Sequence, residues 1–221
     1  MKEKIVKNLI AVKNAFDAFK RNFNKDVPCE KLFENFIHSL DKDLGDYQIK
    51  YDYLCGKDTI NVDGESKGFC LRDGDTILMD ISVGYDGVWC DVTRTFFVGN
   101  VKDTQKHIVD LIVKSISVAE KIIKSGVCAC DIYSAVDSVF KADGKKLVHH
   151  AGHKIGEQPL LQPQFIEQNQ TKLNEFDYIA IESGFYGEFG IRLENDYQVL
   201  EKGAEDLFSQ LMPLNIEEYI L

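Results

Sequence analysis

The chain reads ILMDISVGYDGVWCDVT from Ile77 to Thr93. Two apolar, β-branched runs flank a turn-like cluster of glycine, tyrosine and aspartate, and this pattern predicts a β-hairpin. Asp80 and Asp91 lie on either side of the turn, so a symmetric hairpin would place them face to face, with Cβ atoms about 5 Å apart. Two carboxylates at that distance repel each other. A half-buried pair of this kind needs either a shared proton or a bound cation.

More acids and imidazoles follow in similar strand-like settings. Residues 149–156 read HHAGHKIG and contain His153; Glu182 ends the apolar run IAIE, and Glu194 lies in GIRLEND, residues 190–196. Burying a carboxylate in such a strand without a partner is costly. Four carboxylates and one imidazole suit divalent ions such as Mn²⁺, Co²⁺, Fe²⁺ or Zn²⁺. Because four acids exceed what one ion needs, we expect two ions, an arrangement that activates water for hydrolysis.

The order of predicted elements occurs twice along the chain. Helical spacing of apolar residues predicts four helices, over about 4–24, from Pro28 onward, from about 104 to Gly126, and over about 132–140. Strand-like segments are 48–54, 76–83, 88–98, a segment from Leu147, 178–181 and 191–200. We therefore predict an α+β fold with two pseudo-symmetric helix-helix-strand halves, about 1–100 and 101–208.

Composition limits the partners and the compartment. The 221 residues are 44% hydrophobic, which is enough for one sizeable core, so a single domain over 1–221 is the default. The 36 acidic and 26 basic residues give a formal charge of −10, which argues against nucleic acid or an anionic membrane as a partner. No apolar stretch is long enough to span a membrane, and the charged, amphipathic N-terminus does not resemble a signal peptide. We expect a cytoplasmic protein.

The six cysteines contain no C-x-x-C pair, which makes a zinc-ribbon interpretation weak; they are Cys29, Cys55, Cys70, Cys90, Cys128 and Cys130. A disulfide framework is not expected in a chain of this size without an export signal. We therefore predict that the cysteines are buried, reduced and structural.

Five of these residues, taken in order, resemble the ligand set of the pita-bread (creatinase/aminopeptidase) metallopeptidases: Asp80, Asp91, His153, Glu182 and Glu194. The stretches DGVWCDVTRTFFVG (86–99), GIRLEND (190–196) and KGAE (202–205) resemble the Xaa-Pro aminopeptidase/prolidase branch in particular. The match covers about 50–208, and the repeated element order extends it to the whole chain. The resemblance implies a pita-bread fold around a curved antiparallel sheet, in which this chain begins directly at the catalytic-type domain.

The resemblance also implies roles for these residues. Asp80 would chelate one ion, Asp91 and Glu194 would bridge both ions, and His153 and Glu182 would complete the other. Glu182 would take a proton from the bridging water and pass it to the leaving amine, while the metals polarise the scissile carbonyl. The implied substrate is a small peptide or peptide-like amide, and the implied assembly is a homodimer.

The chain departs from that branch at two substrate-holding histidines. Asp63 stands seventeen residues before Asp80, and Leu160 stands seven residues after His153, where the branch has histidine; His149, four residues before His153, is kept. A carboxylate at position 63 cannot donate a hydrogen bond to an oxyanion unless it is protonated. Asp63 would instead pair with a positively charged group of the substrate.

The remaining candidate residues have simpler alternatives. His149 either contacts the substrate or makes a structural hydrogen bond, and His150 is structural or exposed. Arg192 either pairs with a ligand carboxylate and contacts substrate or lies at the surface. For Tyr186 we expect a packing role rather than a chemical one.

Three functions stay open at this point. The first is a dinuclear metallohydrolase of the Xaa-Pro peptidase type. The second is a metalloenzyme of the same fold that acts on a non-peptide small molecule, as creatinase and ectoine hydrolase do, because the pocket wall has changed at Asp63 and Leu160. The third is a scaffold protein that keeps the fold and has lost the reaction.

Overall fold

A computed structural model describes residues 1–221. Four α-helices are present: α1 (Lys2–Arg21), α2 (Cys29–Leu44), α3 (Asp103–Glu120) and α4 (Ala129–Ala142). Eight strands are present: β1 (Gln48–Cys55), β2 (Thr76–Tyr85), β3 (Val88–Phe97), β4 (Gly152–Ile155), β5 (Leu161–Gln164), β6 (Tyr178–Tyr186), β7 (Gly190–Leu200) and β8 (Gly203–Asp206). None of the helices is both long and apolar enough to span a membrane.

The helices follow the predicted apolar faces, with ends set by local chemistry. Helix α1 ends at Arg21, three residues earlier than predicted, because the Asn22 side chain donates to the Ala18 carbonyl and caps it. Helix α2 begins directly after Pro28, whose fixed φ and missing N–H suit a helix start. It ends at Leu44 and is followed by Gly45, where φ is 72°.

The strand predicted to start at Leu147 was placed too early in the sequence. Residues 143–151 are irregular, and strand β4 begins only at Gly152. Leu147 lies in a loop and its side chain is buried in the core. Its apolar side chain therefore indicates burial and not a β-strand. The short strands β5 and β8 were not predicted, because four residues give too little periodicity to recognise.

Two antiparallel sheets meet along strands β3 and β7. The strand order is β1-β2-β3 in one sheet and β5-β4-β6-β7-β8 in the other. Strand β8 pairs only with Tyr197–Leu200, so the first part of β7 is free to lie beside β3. Side chains join the two strands there: Thr95 exchanges two hydrogen bonds with the Arg192 backbone, and Asp196 Oδ2 accepts from the Asp91 N–H. The junction brings residues from distant parts of the sequence together.

Alternation along the strands separates an apolar face from a polar face. On β2, Met79, Ile81 and Val83 are fully buried, and helix α1 contacts β2 and β3 while α3 contacts β6 and β7. Asp80 and Ser82 point to the other face of β2, which the helices do not cover. One continuous apolar cluster of 55 buried residues includes members of both halves of the chain. The polar face of the joined sheets is therefore the place where a site can form.

The register of the β2–β3 hairpin corrects one prediction. Asp86 and Gly87 form the two-residue turn with φ of 53° and 76°, the left-handed backbone that Asp-Gly hairpin turns use. Tyr85 therefore pairs with Val88, and Asp91 pairs with Ser82 rather than with Asp80. Asp80 and Asp91 share one face as diagonal neighbours, typically about 7–8 Å apart, and do not stand directly opposite each other.

Candidate metal centre

The sheets bring four of the five predicted ligands to one place on the polar face. Glu182 on β6 pairs directly with Glu194 on β7, an arrangement of like charges that is unfavourable in the absence of a cation. His153 on β4 pairs with Ala180, two residues before Glu182 on the same face. Asp91 reaches the group from β3, across the junction between the sheets. All four residues are buried.

One imidazole nitrogen faces three carboxylates. His153 Nε2 lies 3.6 Å from Asp91 Oδ2, 3.8 Å from Glu182 Oε1 and 3.9 Å from Glu194 Oε1. His153 Nδ1 lies 3.1 Å from the Lys154 carbonyl, which can only accept, so the proton is on Nδ1. Burial lowers the pKa of His153, and Nε2 therefore presents a lone pair to the carboxylates.

A lone pair facing three ionised carboxylates is repulsive unless a proton or a cation lies among them. Ligand atoms that bind one ion at about 2.0–2.2 Å can be at most about 4.2 Å apart, and the three distances from Nε2 fall within that limit. Asp91, His153 and Glu194 donor atoms also lie within 4.8 Å of one another. The residues present therefore fit a divalent cation.

The carboxylates carry more negative charge than their surroundings neutralise. Burial, followed by the charges of neighbouring acids, raises the pKa of Asp91 and of Glu194 well above the usual range. Ser82 Oγ donates to Asp91 Oδ1 at 2.9 Å, and Thr93 Oγ1 donates to Glu194 Oε2 at 2.7 Å. These two hydroxyls orient one oxygen of each acid and leave the other directed at His153.

Asp80 is held by an arginine beside this group. Arg192 Nη2 lies 2.6 Å from Asp80 Oδ2 and 3.4 Å from Asp52 Oδ2, while its Nη1 donates to the Val62 carbonyl and to the Tyr186 hydroxyl. Burial raises the pKa of Asp80 to about 6, against the opposing effect of Arg192. The Arg192 side chain is only 4% exposed, so it does not lie at the surface. Since both Nη1 and Nη2 bind protein groups, and Nε is buried without a partner, we propose that Arg192 positions Asp80 rather than contacting substrate.

We expect Arg192→Met to lower the free energy of unfolding of the metal-free protein by about 3–5 kcal/mol, because Asp80 would be left as an unpaired buried charge. Urea unfolding in chelator-treated buffer measures the change. Adding Asp80→Asn to the variant should recover part of the loss, since the unpaired charge is then gone. Arg72→Met, at an exposed arginine, is the matched control. A loss equal to that of the control would contradict this account of the pair.

Two further histidines lie against Glu182. His149 Nδ1 donates to the His150 carbonyl at 2.6 Å and lies 3.5 Å from Glu182 Oε2. His149 Nε2 packs against Gly184, where a Cβ atom would lie only 2.8 Å from it. His150 Nδ1 lies 2.9 Å from Glu182 Oε1, although not along the direction that a hydrogen bond requires. Burial opposes ionisation, but His149 and His150 together lower the pKa of Glu182. His150 is therefore a cleft residue and not simply a structural one.

The model of metallopeptidase family M24 matches residues 3–201. The chain belongs to metallopeptidase family M24. It is 29% identical over 214 residues to an uncharacterized peptidase of Methanocaldococcus jannaschii, covering 86% of this chain and 60% of that protein. It is 28% identical over 143 residues to an Xaa-Pro dipeptidase of Pyrococcus furiosus, covering 62% of this chain and 40% of that protein. This M24 chain thus spans at most about 60% of the length of these relatives.

Solved structures show the same fold. An X-Pro aminopeptidase of Thermotoga maritima matches with a TM-score of 0.92 at 23% identity, over 99% of this chain and 62% of that one. An Xaa-Pro dipeptidase of Bacillus anthracis matches with a TM-score of 0.90 at 21% identity, over 100% of this chain and 62% of that one. The α+β, pita-bread fold predicted from the sequence is confirmed.

Both positions where this M24 chain departs from the Xaa-Pro branch line the site. A cleft of about 450 Å³ contains the predicted ligands together with Asp63, Leu160, His149 and His150. Asp63 and Leu160 are exposed at its wall, so they face incoming molecules rather than the core. Tyr186 packs edge-on against His149 with ring centroids 5.5 Å apart, in agreement with the predicted packing role.

Sequence reasoning missed three charged residues that support the site. Asp52 on β1 accepts from the Gly64 N–H and lies near Arg192. Arg94 on β3 is fully buried and donates from Nη1 to the Glu194 carbonyl at 2.6 Å. Asp196 is fully buried and binds the Asp91 N–H. The sequence does show a charged residue within each of these strands, which could have marked it as a candidate. It does not show the partners of these residues, which lie far away in the sequence.

Proposed function

We propose that this chain is a dinuclear metal-dependent hydrolase that cleaves a small peptide or peptide-like amide of the Xaa-Pro type. The observation that carries the proposal is His153 Nε2 directed at carboxylate oxygens of Asp91, Glu182 and Glu194, 3.6–3.9 Å away. Membership of family M24 supports a metal-dependent reaction. Relatives named as Xaa-Pro dipeptidase and prolidase support the substrate class.

Five residues would hold two divalent cations, with manganese, cobalt, zinc or iron as candidates: Asp80, Asp91, His153, Glu182 and Glu194. When bound, such ions lower the pKa of water and polarise a carbonyl. By the resemblance to the pita-bread metallopeptidases, Asp91 and Glu194 would be the shared ligands. Arg192 would fix the orientation of Asp80 through their 2.6 Å contact. Arg94 would fix the backbone that carries Glu194.

Glu182 would accept the proton from the attacking water and deliver it to the leaving amine. Its lowered pKa keeps it in the ionised form that a base requires. His149 and His150 stabilise that form by facing both of its oxygens, at 3.5 and 2.9 Å. Because the His149 proton is committed to the His150 carbonyl, its Nε2 is an acceptor, but this atom is buried without a hydrogen-bond partner and would have to become exposed to meet a substrate N–H.

We infer that Asp63 selects a positively charged substrate group. We expect Asp63→Asn to raise KM up to about fivefold for such substrates with little change in kcat, because an ion pair at an exposed carboxylate contributes about 0.2–1 kcal/mol. Steady-state kinetics on substrates with and without the positive group measure the change. Asp110→Asn, at an exposed acid on α3, is the control. An equal KM change on the uncharged substrates would contradict the role.

The test of the proposed function is turnover by Mn²⁺- or Co²⁺-loaded protein on a panel of Xaa-Pro dipeptides and tripeptides. We expect hydrolysis of the Xaa-Pro bond that stops after treatment with a chelator and returns with added metal. No turnover of any member, with bound metal confirmed by elemental analysis, would contradict peptidase activity.

A second candidate is a metalloenzyme of the same fold that acts on a non-peptide amide. The observation that favours it is that Asp63 and Leu160, the changed positions, both line the cleft. Turnover or thermal stabilisation by small ureas, amidines or N-acyl amino acids, without turnover of Xaa-Pro peptides, would favour this candidate. A chain that takes up no metal would point instead to a scaffold protein.

The resemblance supports three further proposals about the chain as a whole. We propose a single catalytic domain over 1–221 with pseudo-repeat halves of about 1–100 and 101–208, a homodimer, and a cytoplasmic location. The apolar cluster shared by both halves supports the single domain. Light scattering on the purified chain tests the homodimer, and fractionation of cells tests the cytoplasmic location.

A further inference from the structure

Three of the six cysteines are exposed or partly exposed, where the sequence predicted burial. Cys29, Cys55 and Cys90 are buried as expected, but Cys70 is exposed, and Cys128 and Cys130 are partly exposed. The prediction is wrong for all three. Cys128 and Cys130 flank the start of helix α4, which reaches the surface there.

Cys128 and Cys130 also contact each other. Cys128 is the residue before helix α4, Cys130 lies in its first turn, and the two sulfurs are 3.1 Å apart with the Cys130 thiol donating to Cys128. A disulfide bond requires about 2.0 Å, so closing one needs a movement of about 1 Å. Cys29 and Cys55 are also neighbours, but both are fully buried and out of reach of reagents in solution.

The backbone holds this pair against one loop. The Ala129 N–H donates to the Thr171 carbonyl and the Cys130 N–H donates to the Asn169 carbonyl, each at 2.9 Å. The Cys128 thiol lies 3.5 Å from the same Asn169 carbonyl. Both side chains are thereby directed to one side of the helix start, which keeps the sulfurs together without a covalent bond.

We propose that Cys128 and Cys130 form a surface dithiol that closes reversibly to an intramolecular disulfide by exchange with a low-molecular-weight disulfide such as oxidised glutathione. The Cys128 thiolate attacks one glutathione sulfur, the glutathione S–S bond breaks, and one glutathione thiolate leaves. Cys130 then loses its proton, attacks the Cys128 sulfur and releases the second glutathione. Two protein thiols are oxidised, one disulfide is reduced to two thiols, and both protons end on glutathione.

The neighbouring thiol decides the outcome of the exchange. A mixed disulfide on Cys128 has Cys130 in contact, and it resolves to an internal bridge. The Cys70 thiol donates to the Asp26 carbonyl and contacts no second thiol, so a mixed disulfide on Cys70 persists. The bridge spans a single residue, and such a short loop adds little chain-entropy stabilisation, so added thiol should reopen it. The inference is independent of the proposed hydrolase function.

The test exposes folded, metal-free protein to increasing oxidised glutathione until Cys70 is fully modified, then blocks free thiols and maps peptides by mass spectrometry. We expect the peptide containing Cys128 and Cys130 to lose the mass of two hydrogen atoms and to carry no glutathione, while Cys70 carries one. Added reduced thiol should reverse both changes.

The single variants Cys128→Ser and Cys130→Ser provide the matched controls. In each, the remaining cysteine should carry glutathione as Cys70 does, because no partner thiol can resolve the mixed disulfide. Circular dichroism checks that both variants are folded. Free thiols or stable glutathione adducts at Cys128 and Cys130 of the unsubstituted chain, under conditions that fully modify Cys70, would overturn the proposal.

Discussion

Glu182→Gln should lower the turnover of the metal-loaded protein by about 10²–10⁴-fold, the usual contribution of a positioned general acid or base. The side chain keeps its size and loses the ability to accept and return a proton. His149 and His150, against the opposing effect of burial, make Glu182 the acid in the cleft that is held ionised. The measurement is kcat/KM on the best Xaa-Pro substrate, with bound metal counted in the same sample.

The control for this prediction is Glu188→Gln. Glu188 is exposed at the tip of the same β6–β7 connection, and it undergoes the same chemical change. We expect its turnover to match that of the unsubstituted chain. If Glu182→Gln binds the same amount of metal and retains full turnover, Glu182 is not the base.

Glu194→Gln should change stability in opposite directions with and without metal. In the metal-free protein the pKa of Glu194 is strongly raised. The folded state therefore loses stability as the pH rises above the usual pKa of a glutamate. A neutral glutamine removes that cost while its oxygen can still accept from Thr93. We expect the free energy of unfolding at neutral pH to rise by more than about 1.4 kcal/mol, the free energy of one pKa unit.

With metal the order of the two proteins should reverse. The unsubstituted chain should gain about 2.7–4.1 kcal/mol at ion concentrations of 100–1,000 times Kd, whereas the variant lacks a shared ligand and should gain much less. Urea unfolding with and without Mn²⁺ measures both effects, and Glu188→Gln again serves as the control. A metal-free variant less stable than the unsubstituted chain would show that Glu194 is not a repelled charge.

The ligand group was predicted from acids that stand in apolar, strand-like runs and from the resemblance to the pita-bread metallopeptidases. The pattern of apolar and β-branched residues also predicted most of the strands. It did not fix the hairpin register, which depended on the left-handed backbone at Asp86 and Gly87. The Asp-Gly pair signals that turn in the sequence, so this error was avoidable.

Other features could not be derived from local sequence. The pairing of Arg192 with Asp80 joins residues 112 positions apart, and the bond from Arg94 to the Glu194 carbonyl joins residues 100 positions apart. Both depend on how strand β7 lies beside β3. The placement of His150 against Glu182 depends on an irregular segment whose backbone has no periodic signal.

The most direct test of the metal centre is a crystal structure of the protein grown with Mn²⁺, with anomalous scattering recorded at the manganese absorption edge. We predict two strong peaks in the cleft, within bonding distance of the side-chain atoms of Asp80, Asp91, His153, Glu182 and Glu194. Manganese peaks found only outside this cleft, or none in a crystal whose protein is shown to be folded, would contradict the account.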